Sequence, residues 1–424
     1  MNSFDKIIGY DAIKKELIGI CDMIHNKDVY EKLGAKMPQG VLLYGDPGLG
    51  KSLMAKCFIA ESGLKAFTVR KTTSEDFAGH ITKVFAEAKE HAPCIIFLDD
   101  MDKFANEDAN HRDAEEYVAV QSGIDDVKES DVFVLATVNE IYKLPDSLKR
   151  AGRFDRVIEV EIPCNEDAQK IVEHYLKTKK VSPDMNIDDI AKMINYSSCA
   201  ELETIVNEAA IHAASERKPY IETCDFIYAV LRLEYNVPND YAKASDETVK
   251  RVAFHEAGHA VMSEILLPGS VGLVSLCANS RSRSRGFVHR CKSFESASQH
   301  ILTSLAGKAT AELYFGVCDL GSGDDIRKAY QCIRDGISEE GTHGLGMIDV
   351  ADYRFPKASE NMNARNEAVV QAEMERYMYQ AREILIKNKA FLEKVAEELI
   401  KNQTLLNSDM QKIRTSVNVS EVVA

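Results

Sequence analysis

The sequence predicts an α/β P-loop core with a small helical lid, followed by a mainly α-helical domain built around a metal-binding helix. Three observations predict it. From Gly40 to Pro163, apolar runs alternate with helical stretches, the pattern of a parallel sheet with crossover helices. The first run leads directly into Gly45-Asp46-Pro47-Gly48-Leu49-Gly50-Lys51-Ser52, which fits the phosphate-binding loop. Beyond Pro163 the strand signals fade, and His255-Glu256-Ala257-Gly258-His259 fits HExxH within a helical stretch.

Length and composition set the bounds. A chain of 424 residues is too long for one ordinary core, and an apolar content of 45% is ample for two or three. The net charge of −15 argues against a nucleic-acid backbone as partner. Ten cysteines with no CxxC pair point to reduced thiols in a cytoplasmic setting. No apolar run approaches the ~18–20 residues that span a bilayer. A soluble protein is expected, at a membrane face only if the chain is part of a longer, anchored one.

The elements follow in order. Gly40–Tyr44 is the first buried strand, Cys94–Leu98 the second, Val132–Ala136 the third and Val157–Val160 the fourth. Helical spacings such as Ile187, Ile190, Ala191, Ile194 and Leu202, Ile205, Val206, Ala209 mark the lid. The expected division is a core over 1–164, a lid over 165–235, a linker over 236–246 and a last domain over 247–424. In that domain Gly286–His289 has strand character and Ser280–Arg285 is a polar, basic loop. Met374, Tyr377, Met378, Ala381, Ile384 and Leu385 form the apolar stripe of a long helix.

Each part of the first motif has a chemical reason. Glycines let backbone N–H groups face phosphates at a helix N-terminus, where the dipole favours anions. Lys51 reaches the β- and γ-phosphates of ATP, and the Ser52 hydroxyl ligates Mg²⁺. The run Cys94–Leu98 ends in Asp99-Asp100. Asp99 suits Mg²⁺ through water, and Asp100 suits the base that polarises the attacking water. Glu is usual there, so the side chain is one methylene short and slower hydrolysis is expected. Asn139 suits a γ-phosphate sensor. Arg153 and Arg156, in Arg150–Arg156, suit arginine fingers reaching a neighbour's ATP in a ring, although arginines there could also pair internally.

In HExxH, His255 and His259 at i and i+4 share a helix face, so both imidazoles can ligate one Zn²⁺. Glu256 lies beside that face, suited to activate water. A third ligand is needed. Glu312, Asp319, Asp324, Asp325, His289, His300 and His343 are candidates, and spacing does not choose among them.

With these residues in view, the chain resembles the FtsH family of ATP-dependent zinc metalloproteases, nearly end to end. The resemblance rests on Phe4–Tyr10, Lys32–Gly34, Gly40–Gly45, Ala92–Phe97, Arg150–Arg156, Phe254–Val261 and Leu305–Glu312. It implies an AAA core, with Ile8 and Gly9 packing on adenine, and a zinc metallopeptidase domain. It also supplies the third ligand. The family's Asp in a small-polar-Asp-Ile segment falls at Asp325 of Gly321-Ser322-Gly323-Asp324-Asp325-Ile326. Phe77-Ala78-Gly79 resembles the family's substrate-gripping pore loop, with a core aromatic as the alternative. The family's N-terminal membrane segments are absent from this sequence, and Cys199-Ala200 replaces its Gly-Ala. The implied activity is that of a homo-hexamer that unfolds and degrades unfolded or tagged polypeptides. The alternative is an ATP-gated remodeller or adaptor with attenuated hydrolysis and a latent protease.

Overall fold

The computed structural model describes residues 3–71, 76–105, 114–150, 152–237, 246–277, 286–316, 322–337 and 360–420. Most of the expected linker, the loop Ser280–Arg285, Gly321, Asp319 and His343 therefore lie outside the described residues. The chain forms two compact units, Met1–Lys177 with Tyr196–Thr204, and Thr178–Asn195 with Ile205–Ala424.

In the first unit, helices α1 (Asp11–His25) and α2 (Lys27–Lys32) precede strand β1 (Gly40–Tyr44). Then come α3 (Lys51–Ser62), β2 (Lys65–Arg70), α4 (Phe77–Glu90) and β3 (Cys94–Asp99). The unit continues with α5 (Ala114–Asp126), β4 (Val132–Val138), β5 (Arg156–Glu159) and α6 (Asn165–Leu176). The strands pair in parallel in the order β2-β3-β4-β1-β5. β1, β3 and β4 are covered on both faces, which is why each is a continuous apolar run. β2 is the strand that the apolar runs did not reveal. It lies at the sheet edge with Val69 as its buried residue, so its sequence carries little hydrophobic signal.

The second unit holds α7 (Ile187–Met193), most of α8 (Cys199–Ser215), α9 (Thr223–Leu233) and α10 (Asp246–Leu266). After these come β6 (Val271–Ser275), β7 (Phe287–Arg290), α11 (Ala297–Phe315) and α12 (Gly323–Asp335). α13 (Glu360–Lys387), α14 (Lys389–Asn402), β8 (Thr404–Leu406) and α15 (Asn407–Ser416) complete it. Its strands are antiparallel in the order β7-β6-β8, with β7 at an edge. α10 packs on α11 and α14 through Ala253, Ala257, Ala260 and Val261, all fully buried. The α13 stripe is core as its spacing predicts, with Tyr377, Ala381, Ile384 and Leu385 buried. Among the described residues, no helix is long and apolar enough to cross a membrane.

Candidate active sites

The phosphate loop joins β1 to α3. Gly48 has φ +82°, and a Cβ there would sit 2.9 Å from Ser198 Oγ. Its carbonyl accepts from Ala200 N at 3.1 Å. Only glycine permits both that backbone conformation and that approach. Asp46 and Pro47 are exposed, Leu49 is buried beneath the loop, and Gly50 in the left-handed region leads into α3. Lys51 is buried, and its ammonium donates to Gly45 O and Asp46 O at 2.7 Å each. Burial lowers its pKa, leaving a desolvated cation within the loop.

The acidic pair sits beside it. Asp99 Oδ1 accepts from Ser52 Oγ and Thr137 Oγ1, both at 2.9 Å. Thr137 in turn accepts from Asp100 N at 3.0 Å, so one buried threonine ties the Asp99 carboxylate and the Asp100 backbone to β4. Asp100 adopts φ 54°. Both its oxygens are engaged, one by Asn139 Nδ2 at 3.4 Å and one by Lys103 Nζ at 2.6 Å. Thr137 and Lys103 were not singled out from the sequence, since neither belongs to a phosphate-loop pattern.

Ile8 is half-buried beside Gly9, whose φ is +72°. Tyr10 N donates to Asp167 Oδ2 at 3.0 Å, and its hydroxyl reaches Glu161 O at 3.0 Å and Cys199 Sγ at 3.5 Å. Ile8 and Gly9 are thereby held in the same unit as the phosphate loop. The two arginines differ. Arg153 pairs internally with Asp125 at 2.8 and 3.1 Å and bonds Ser147 O, holding the Asp125 carboxyl down at about 2. Arg156 is exposed at the start of β5. Phe77 is buried, edge-on to Phe104 at 5.4 Å, which is the core reading of that aromatic and not the pore-loop one.

In the second unit, α10 carries the two histidines and α12 carries Asp325 in its first turn. His255 Nε2 and His259 Nε2 are 3.1 Å apart. Asp325 Oδ2 lies 3.3 Å from the first and 3.4 Å from the second. Burial alone raises the Asp325 carboxyl, but the two imidazoles outweigh it and hold it well below the usual range. His259 Nδ1 is 2.7 Å from Thr303 O, a contact that fixes the ring with Nε2 toward the cluster. These three side chains suit zinc, with one carboxylate and two imidazole donors converging.

Gly307 of α11 lies directly against the two imidazoles. A Cβ on it would sit 2.7 Å from His255 Nε2 and closer still to His259 Nε2. Gly307→Ala is therefore expected to strip the protein of most of its zinc while α11 still forms. Metal analysis of the purified variant checks this, and full zinc occupancy would disprove the crowding argument. A glycine inside a helical run was the available signal, since glycine costs about 1 kcal/mol against alanine there.

Glu256 is buried beside the cluster, and desolvation raises its carboxyl to about 7, with Asp325 adding to the rise. Gly286, just before β7, approaches so closely that a Cβ would lie 2.8 Å from Glu256 Oε1. The cluster opens into a cleft of about 510 Å³ along β7. Among the described residues, the other third-ligand candidates are engaged by other groups. Asp324 pairs with Arg327 at 2.6 Å, Glu312 with Lys308 and Arg382, and His289 bonds Tyr235. His300 stacks edge-on against Phe294 at 5.1 Å.

Comparison with known proteins agrees with both halves. Residues 41–162 match the family model for ATPases associated with various cellular activities (AAA), and residues 242–413 match that of peptidase family M41. The chain is 30% identical over 443 residues to ATP-dependent zinc metalloprotease FtsH 1 of Alkaliphilus metalliredigens, covering 97% of this chain and 73% of that one. It is 29% identical over 448 residues to FtsH 3 of Symbiobacterium thermophilum, covering 97% and 71%. With FtsH 2 of Phytoplasma mali it shares 28% over 436 residues, covering 97% of this chain and 62% of that relative. The chain thus belongs to the FtsH family of ATP-dependent zinc metalloproteases, enzymes that use ATP and zinc.

Proposed function

We propose that this chain is a processive endopeptidase, working as a homo-hexamer that unfolds polypeptides and cleaves them. The observation that carries the reading is the convergence of His255, His259 and Asp325 beside buried Glu256, on a cleft edged by β7. His255, His259 and Asp325 hold the zinc, which supplies Lewis acidity toward water and the scissile carbonyl. Glu256 takes the proton from the attacking water and returns it to the leaving amine. β7 lies at the edge of its sheet, so an extended substrate can add as a further strand, giving low sequence specificity.

The ATP site is the phosphate loop Gly45–Ser52, with Ile8 and Gly9 on the adenine side. Ser52 and Asp99, already hydrogen-bonded to each other, hold Mg²⁺. Asp100 orients the water, Asn139 senses the γ-phosphate, and exposed Arg156 is better placed than Arg153 to reach a neighbouring subunit's nucleotide. The division into core (1–164), lid (165–235) and peptidase (247–424) belongs to the same proposal. So does a cytoplasmic location, or the cytoplasmic face of a membrane if the chain is part of an anchored one. The adaptor alternative gains nothing from the relatives, each of which is named a protease.

The test is direct. Purified protein should contain about one zinc per chain and degrade an unfolded protein only with ATP. Degradation at the same rate without nucleotide, or after zinc is withheld, would rule the reading out. Asp100→Glu restores the missing methylene and is expected to raise ATP turnover severalfold, since reach governs the base. A steady-state ATPase assay decides, and an unchanged or lower rate would mean that the short side chain does not limit hydrolysis.

A further inference from the structure

β7 is short, lies at the sheet edge and forms one wall of the zinc cleft, so something other than its ladder with β6 must hold it in place. That ladder pairs Leu273 with His289, Val274 with Val288 and Ser275 with Phe287, and it becomes irregular between Val271 and Leu273. Side chains two apart on a strand share a face, so Phe287 and His289 stand together.

Tyr235 meets both. Its ring stacks on Phe287 with centroids 3.6 Å apart and planes at 16°. Its hydroxyl lies 3.0 Å from His289 Nδ1. Burial, with Arg290 beside it, lowers His289 to about 4, so the ring remains neutral and the contact persists across physiological pH. Tyr235 is itself fixed. It follows α9 in a turn where Val237 N donates to Leu231 O at 2.9 Å and Asn236 takes φ 52°. The far end of the strand is anchored independently, because Asn195 Nδ2 donates to Cys291 O at 2.9 Å. Gly272 on β6 carries no side chain where the Lys192 carbonyl approaches, so the end of α7 lies directly on this sheet.

We infer that Tyr235 is a positioning residue for substrate. It sets the register and tilt of β7 against Glu256 by clamping Phe287 and His289, and touches neither the metal ligands nor the reacting atoms. The inference rests on the proposal that substrate pairs with β7.

The experiment uses zinc-loaded full-length protein and a short fluorogenic peptide that needs no unfolding. Tyr235→Ala is expected to raise the peptide KM about tenfold with kcat changed less than about twofold, the mark of lost ground-state positioning. Tyr235→Phe keeps the stack and loses the hydroxyl, so it should fold normally and show a smaller KM rise of about threefold. Zinc content should match wild type in both. Wild-type KM in both variants overturns the inference, as does a fall in kcat at constant KM. If Tyr235→Ala does not fold, the Tyr235→Phe KM alone decides. Should wild type fail to cleave the peptide, or Glu256→Gln cleave it equally well, the protease reading itself has failed.

Discussion

Glu256→Gln is expected to abolish protein degradation while zinc content, ATP turnover and fold remain intact. The substitution keeps size and shape in a buried position that Gly286 leaves no room to enlarge. It removes the proton acceptor and nothing else. A positioned general base contributes roughly a hundredfold to ten-thousandfold, so cleavage should fall by that factor. Stability should not fall with it. Burial raises the Glu256 carboxyl to about 7, so keeping it ionised opposes folding above its unfolded value of 4.5. A neutral amide escapes that penalty, and the variant should be at least as stable at neutral pH. Parallel measurements of casein-type degradation, bound zinc and melting temperature check all three statements. Residual cleavage at half the wild-type rate would remove Glu256 from the mechanism.

Lys51→Met is expected to separate the two activities in the other direction. The ammonium lies inside the phosphate loop and is desolvated, which strengthens its pull on developing phosphate charge. Removing such a donor costs roughly a hundredfold to a thousandfold in turnover. ATP hydrolysis and the degradation of folded proteins should collapse together. Short peptides should still be cut, because Glu256 and the three ligand side chains belong to the other compact unit. Loss of peptide cleavage as well would mean that nucleotide is needed to assemble the peptidase site and not merely to deliver substrate.

How much of this was legible in the sequence follows from how each feature is buried. β1, β3 and β4 are covered on both faces and announce themselves as apolar runs. β2 at one sheet edge, and β6 and β8 in the smaller sheet, do not. β6 is fully buried, but Gly272 and Ser275 break its apolar signal, and β8 is three residues long. The phosphate loop and the histidine pair are local patterns, so their residues read out directly from spacing. Asp325 lies 70 residues from His255, and only the resemblance to a family singled it out. Thr303, Gly307 and Tyr235 act across distant stretches of chain, and no local pattern marks such contacts. The internal pairing of Arg153 with Asp125 and the burial of Phe77 are likewise tertiary facts. Each residue has two reasonable sequence readings, and its partners come from distant stretches of chain.

The close approach of α10 and α11 has a consequence for how this enzyme ages and recovers. At Gly258 a Cβ would lie 2.7 Å from the Ala306 carbonyl, so the two backbones touch where larger residues would force them apart. That seam is lined by buried alanines, close-packed across the two helices. Small zinc modules borrow their folding from the metal and collapse when it leaves. Here the scaffold is cohesive first, and one of the ligands, His259, is aimed by a carbonyl on the neighbouring helix. A chelated molecule should therefore persist as a dormant but still folded enzyme, ready to be reawakened by the next zinc ion it meets.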